Sequence, residues 1–199
     1  MIILAIIAGT SFLVYKNYKP KFITLYKTDT FQSQIKQDST IIIRDVINPE
    51  LKKYFDYIAS TEVLIKNGDT LATYRKLCDD STSSAIGRYQ MLNIAREQIG
   101  FGSIPRSVFL NNPELQDVAM YMLLKDNYRS MKGFMKEWDG KMVNGYYLSE
   151  PGMLSLAHAL GAGGAMSWIK NGCKPNMLPP GAPHADTRLT LQKYKIQFE

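Results

Sequence analysis

The tripeptide Asn-Pro-Glu occurs at 48–50 and again at 112–114. Each copy is a helix start: a capping asparagine, a proline where a missing N–H does no harm, and a carboxylate at the positive end of the helix dipole. Apolar residues follow at helical spacing, at Leu51, Tyr54, Phe55, Ile58 and Ile65 after the first start and at Leu115, Val118 and Met122 after the second. The second helix runs on toward Trp138, with Gly133 as the point where it would break. Ser149-Glu150-Pro151 opens another helix, Met153 to Leu160, interrupted by the glycines at 161, 163 and 164. Shorter helices are predicted over Met91 to Ile99, Ala165 to Lys170 and Asp186 to Phe198. Thr70 to Arg88 mixes short apolar pieces with Asp79-Asp80 and the run Ser81 to Ser84, which predicts a loop with a small hairpin. The fold class is therefore mainly α, with a small loop-and-hairpin lobe inserted after the first helix.

That body occupies residues 48–199. Ahead of it, Met1 to Tyr15 is apolar apart from Thr10 and Ser11, and Lys16 closes the run. Such a segment predicts a transmembrane anchor over residues 1–18, with residues 2–18 in contact with the membrane, although it is slightly short for a full span. A cleaved signal peptide fits less well, because no basic residue precedes the run and no small-x-small site follows. A buried core helix would be expected to show a polar face. Residues 19–47 form a stalk: Tyr26 to Thr40 is rich in Thr, Gln, Ser and Asp, and Thr40 to Val46 has the β-branched character of one strand.

Within the first helix of the body, Glu62 stands four residues after Ile58 and three before Ile65. It therefore falls in the apolar stripe, where a solvated face would not place a carboxylate. Partial desolvation penalises the ionised form and should lift its pKa above the ordinary carboxylate value. Two roles fit this position: a structural glutamate bonded to a buried group, or an acid that keeps its proton at neutral pH.

Composition narrows the partners. The formal net charge of +6 favours an anionic one, such as nucleic acid, lipid headgroups or a cell-wall polymer. The basic residues are scattered and no aromatic–basic stripe stands out, so no nucleic acid is expected. Two cysteines and two histidines, with no Cys-x-x-Cys or His-x-x-x-His spacing, argue against a metal site, and no organic cofactor motif is present. Cys78 and Cys173 would pair only in an oxidising compartment. His158, flanked by alanines, reads as a packed side chain.

Ser83-Ser84-Ala85-Ile86-Gly87-Arg88-Tyr89-Gln90, some twenty to thirty residues after Ala59-Ser60-Thr61-Glu62, resembles the lysozyme-like superfamily, and within it the phage lambda-type endolysins, which are lytic transglycosylases. Ala157 to Ala165 (AHALGAGGA) is similar to a stretch common in phage-associated transglycosylases. The resemblance covers residues 49–199, with one departure: Val63 follows Glu62 where the family carries glycine or serine. It implies a lysozyme-like fold whose lobes form a cleft, activity on peptidoglycan glycan strands, and Glu62 as the catalytic acid.

Cleaving a glycosidic bond requires a protonated acid, and a hydrolase also requires a second carboxylate. Asp69, Asp79 and Asp80 are the candidates for a muramidase. A lytic transglycosylase needs none, because the muramic acid C6 hydroxyl attacks its own anomeric carbon while one glutamate serves as acid and then as base. Ser84, Gly87, Tyr89 and Gln90 are the candidate substrate-binding residues: Gly87 for a tight turn near the sugar, Tyr89 and Gln90 for stacking and amide contacts. The protein is thus expected to be an enzyme of the bacterial envelope or of a membrane-containing phage virion, where virion or secretion-complex proteins are further partners. Lys16, Lys19, Lys21 and Lys27 follow the apolar run and by the positive-inside rule favour a cytoplasmic body, which conflicts with activity on the wall unless the membrane belongs to a virus particle or the bias is overridden. The remaining alternative is a non-catalytic, membrane-anchored structural or wall-binding protein.

Overall fold

The computed structural model describes residues 3–7, 10–14, 47–62, 74, 83–182, 184–191, 194 and 198. Over these the protein is mainly α-helical, with small antiparallel hairpins. In chain order the elements are β1 (Ile3–Ile7), β2 (Thr10–Val14), α1 (Pro49–Glu62), α2 (Asn93–Gln98), α3 (Arg106–Leu110), α4 (Pro113–Trp138), β3 (Met142–Val143), β4 (Tyr146–Tyr147) and α5 (Glu150–Lys170), followed by short 3-10 helices at Pro175–Met177 and Ala185–Thr190.

The amino-terminal run, where a membrane helix was expected, holds two strands. β1 and β2 pair antiparallel, with Ile3 opposite Val14 and Ile7 opposite Thr10. The β-branched residues Ile3, Ile6, Ile7, Thr10 and Val14 favour extended backbone, and pairing satisfies the peptide groups that a helix would otherwise satisfy. No helix among the described residues is long and apolar enough to cross a membrane. The stalk and its predicted strand at Thr40 to Val46 lie outside the described residues, apart from Ile47.

The chain divides into two compact units, residues 1–48 with 59–120 and residues 49–58 with 121–199. The core of the first holds Ile86, Tyr89, Met91, Ile99, Phe101, Ile104, Phe109 and the start of α4, including Leu115, Val118 and Ala119. α4 begins where the sequence says it should: Asn112 Oδ1 accepts from the Leu115 N–H at 3.0 Å. It then runs unbroken past Gly133, whose position is exposed and open, so the glycine costs helix propensity without stopping the helix.

The second unit is built on α5. Ser149 is its N-cap, accepting from the Gly152 N–H at 3.1 Å, and its hydroxyl also donates to the Leu191 carbonyl at 2.5 Å. Residues 151–157 are buried, and Tyr54 of α1 donates its hydroxyl to the Pro151 carbonyl at 2.7 Å. At Gly161 the backbone leaves helical geometry (φ 71°, ψ 160°), so α5 is two helical segments joined at a kink, as the glycine cluster predicts. Of the expected helix over Asp186 to Phe198, the continuous described part differs: a 3-10 turn covers Ala185–Thr190 and Leu191 is extended. Its backbone there serves Ser149 instead of a helix ladder. Cys173 is a free, buried thiol pushed up to about 11 by desolvation, and Cys78 lies outside the described residues.

Ser149 therefore caps α5 and ties the carboxy-terminal turn with one hydroxyl. Ser149→Ala should lower stability by about 1–2 kcal/mol, read as a lower midpoint in urea with unchanged helix content. An unchanged midpoint would show that the hydroxyl does neither.

Candidate active site

Glu62 is the last residue of α1. Leu51, Tyr54, Phe55, Ile58 and Ala59 are buried along that helix, Ser60 and Thr61 are exposed, and Glu62 is half-buried. The carboxylate thus sits on the continuation of the buried stripe, at the negative end of the helix dipole. The last turn carries no basic residue to offset that field.

The Gly-Arg-Tyr-Gln sequence forms a tight turn, closed by a bridge between Ile86 and Met91. Gly87 takes φ +77°, a region where only glycine is unstrained. The Ile86 N–H donates to the Met91 carbonyl at 3.2 Å and the Met91 N–H returns the bond at 3.0 Å. Ahead of the turn, Ser84 is exposed and its Oγ accepts from the N–H of Asn93, the first residue of α2, at 3.0 Å. Leu92 offers α2 no side-chain cap, so Ser84 supplies one from a distance in sequence.

Two of the expected substrate contacts are buried. Tyr89 is 1% exposed, and its hydroxyl donates to Asp117 Oδ1 at 2.5 Å. A ring so enclosed packs the core and offers no face to a sugar. Gly87 is buried too, and a Cβ there would overlap Gln116 Oε1, so the close approach it permits is to Gln116. Gln90 remains half-buried at the turn, with its Nε2 donating to the Gly87 carbonyl at 2.8 Å. The candidate second carboxylates Asp69, Asp79 and Asp80 lie outside the described residues.

The residues that organise this unit are ones the sequence reading passed over. Gln116 is fully buried at the head of α4. Its Oε1 accepts from the Arg88 N–H at 2.9 Å, and its Nε2 donates to the carbonyls of Tyr74 and Phe109 at 2.8 and 2.9 Å. Asp117, the next residue, receives the Tyr74 hydroxyl at 2.8 Å on the same Oδ1 that takes Tyr89. The two tyrosine rings meet edge to face at 6.5 Å, and the Arg88 guanidinium lies 5.0 Å over the Tyr74 ring. Burial and the Asp117 charge push both phenols well above the ordinary tyrosine range, which keeps them donors. The signal was present: residues 115–124 (LQDVAMYMLL) are apolar on nearly every side, so a Gln-Asp pair among them must be buried and partnered.

Among the described residues no three His, Cys, Asp or Glu side chains gather to hold a metal ion. A groove of about 230 Å³ in the second unit, lined by Leu160, Gly164, Trp168 and Met177 among others, contains none of the sequence-predicted site residues. No protein-family model, curated protein or solved structure matches the chain.

The interlock of Gly87 with Gln116 gives a direct test of the turn. Gly87→Ala combines a left-handed backbone with an overlap on a buried amide and should destabilise by about 2 kcal/mol or more. Gly172→Ala, at φ +83° with open space around it, bears the backbone strain alone and should cost about 1 kcal/mol. Equal losses in chemical denaturation would mean that Gln116 does not press on the turn.

Proposed function

We propose that this chain cleaves peptidoglycan glycan strands as a lytic transglycosylase with a lysozyme-like body, using Glu62 as its acid and base. The observation that carries this reading is the placement of Glu62: a half-buried carboxylate closing a helix whose preceding face is core, with no basic residue in its last turn. The glutamate's order relative to the Gly87–Gln90 turn supports it, since that is the arrangement the superfamily resemblance rests on.

The reaction needs few groups. The Glu62 carboxyl protonates the glycosidic oxygen between N-acetylmuramic acid and N-acetylglucosamine, and the bond from that oxygen to the muramic acid anomeric carbon breaks. The muramic acid C6 hydroxyl then bonds to that carbon, and its proton passes to the Glu62 carboxylate, restoring the acid. The attack is intramolecular, so it gains the effective molarity of a held nucleophile and excludes water from the balance. A second carboxylate is not required. Asp117, a described carboxylate of the same unit, accepts two phenols on one oxygen and is 6% exposed, so it is poorly suited to activate water. Ser84 and Gln90, both accessible, are the side chains we assign to the glycan edge. The net charge of +6 suits a negatively charged wall.

Clearing of purified sacculi by the full chain tests the assignment. Glu62→Gln should fold normally and slow clearing by roughly 10²–10⁴-fold, the usual contribution of a positioned general acid. Glu62→Asp, which withdraws the carboxyl by one methylene, should also lose most of the rate. For the wild type the rate should fall as pH rises, because only the protonated form can donate to the leaving oxygen. A Glu62→Gln protein that clears sacculi at the wild-type rate contradicts the assignment, and a protein that binds sacculi without ever clearing them supports a non-catalytic wall-binding role instead.

A further inference from the structure

Gln90 adopts φ +45°, a left-handed conformation that disfavours residues other than glycine or asparagine by about 1–2 kcal/mol. The other described non-glycine residues with positive φ are Asn144 and Cys173. If closing the turn were the whole task, glycine or asparagine at position 90 would do it with less strain. Nor is the Gln90 side chain needed for closure, since its backbone N–H already donates to the Gly87 carbonyl at 3.2 Å. The side-chain amide adds a second donor to the same oxygen and stands half-exposed. Among the described residues its Oε1 has no protein donor, and its second N–H is uncommitted.

The other three residues of the turn are held from α4. Gly87 leaves no room for a Cβ beside Gln116 Oε1, the Arg88 N–H donates to that same oxygen, and the Tyr89 hydroxyl donates to Asp117. Gln116 also grips the backbone of Tyr74 and Phe109, so its position is fixed by segments that precede and follow the turn in sequence. A buried network of this kind can hold a strained neighbour in place, and strained residues held this way are frequent where a ligand is bound.

We infer that Gln116 and Asp117 are positioning residues that act through Gln90, fixing its amide where it meets the N-acetyl or hydroxyl groups of a glycan strand. The inference rests on the function proposed above, which places Gln90 at the glycan edge, and adds the pair that aims it. Neither Gln116 nor Asp117 touches the glycan.

A double-mutant cycle on the full chain tests this with soluble glycan strands as substrate. Gln90→Ala should raise KM about tenfold, the loss of one hydrogen bond to a ligand, with kcat within about twofold and an unchanged melting temperature. Gln116→Met should raise KM by a similar factor and also lower the melting temperature. The double variant should have the KM of Gln116→Met alone, because an amide no longer aimed has nothing left to lose. Ile104→Val, a buried control in the same unit, should lower the melting temperature and leave KM unchanged. If Gln116→Met fails to fold, Asp117→Asn takes its place in the cycle, with a smaller rise in KM and the same failure of additivity. Additive effects on KM, or a wild-type KM in the α4 variant, would overturn the positioning role while leaving Glu62 as the acid. A wild-type chain that neither clears nor sediments with sacculi would overturn the proposed function and this inference together.

Discussion

One side-chain amide holds the first unit in register. Gln116 faces the backbone of three separate segments, at Tyr74, Arg88 and Phe109, and satisfies a donor or acceptor of each. All three bonds are buried. Removing the amide would leave buried peptide groups unsatisfied at about 1–3 kcal/mol each, a large share of the roughly 5–15 kcal/mol that stabilises a domain. The neighbouring Asp117 adds a charge-assisted version of the same device, collecting two phenols on one oxygen. The Gly87 turn takes its shape from this pair, because only glycine leaves room for the Gln116 carbonyl oxygen.

The helices were legible where local chemistry and periodicity agreed. Asn112 caps α4 and Ser149 caps α5, as their side chains predict, and Gly161 breaks α5 where a glycine cluster meets an apolar helix. The hairpin of β3 and β4 was equally legible and was missed: Asn144-Gly145 is the strongest short-range signal for a two-residue turn, and both residues take the positive φ it requires (50° and 83°). The amino-terminal run was ambiguous in principle. Ten aliphatic and β-branched residues suit a spanning helix by hydropathy and two strands by propensity, and hydropathy alone does not choose. Near the carboxy terminus, Ala185–Thr190 forms a 3-10 turn where helical spacing begins at Asp186, and the next residue, Leu191, serves Ser149 through its carbonyl.

The same rule explains the site. A polar residue on an apolar stripe must have a reason, and applied to α1 it selects Glu62. Applied to α4 it selects Gln116 and Asp117, which hold the turn. Tyr89 was drawn toward the substrate by its place in the Gly-Arg-Tyr-Gln run, yet that run is mostly an inward-facing anchor. Its glycine and tyrosine engage α4, and Gln90 alone stays accessible. No pattern in the four letters distinguishes a residue that faces the core from one that faces a ligand. The partner residues, 28 positions away in sequence, make that distinction.

The central claim is that a single carboxylate opens the glycosidic bond by internal attack and that water takes no part. Mass spectrometry of the fragments released from sacculi by the full chain in heavy-oxygen water addresses it in one measurement. The account predicts 1,6-anhydro-muramic acid ends, lighter by one water than hydrolysis products and free of heavy oxygen. Reducing muramic acid ends carrying the label would contradict it and assign the chemistry to a hydrolase with a second carboxylate.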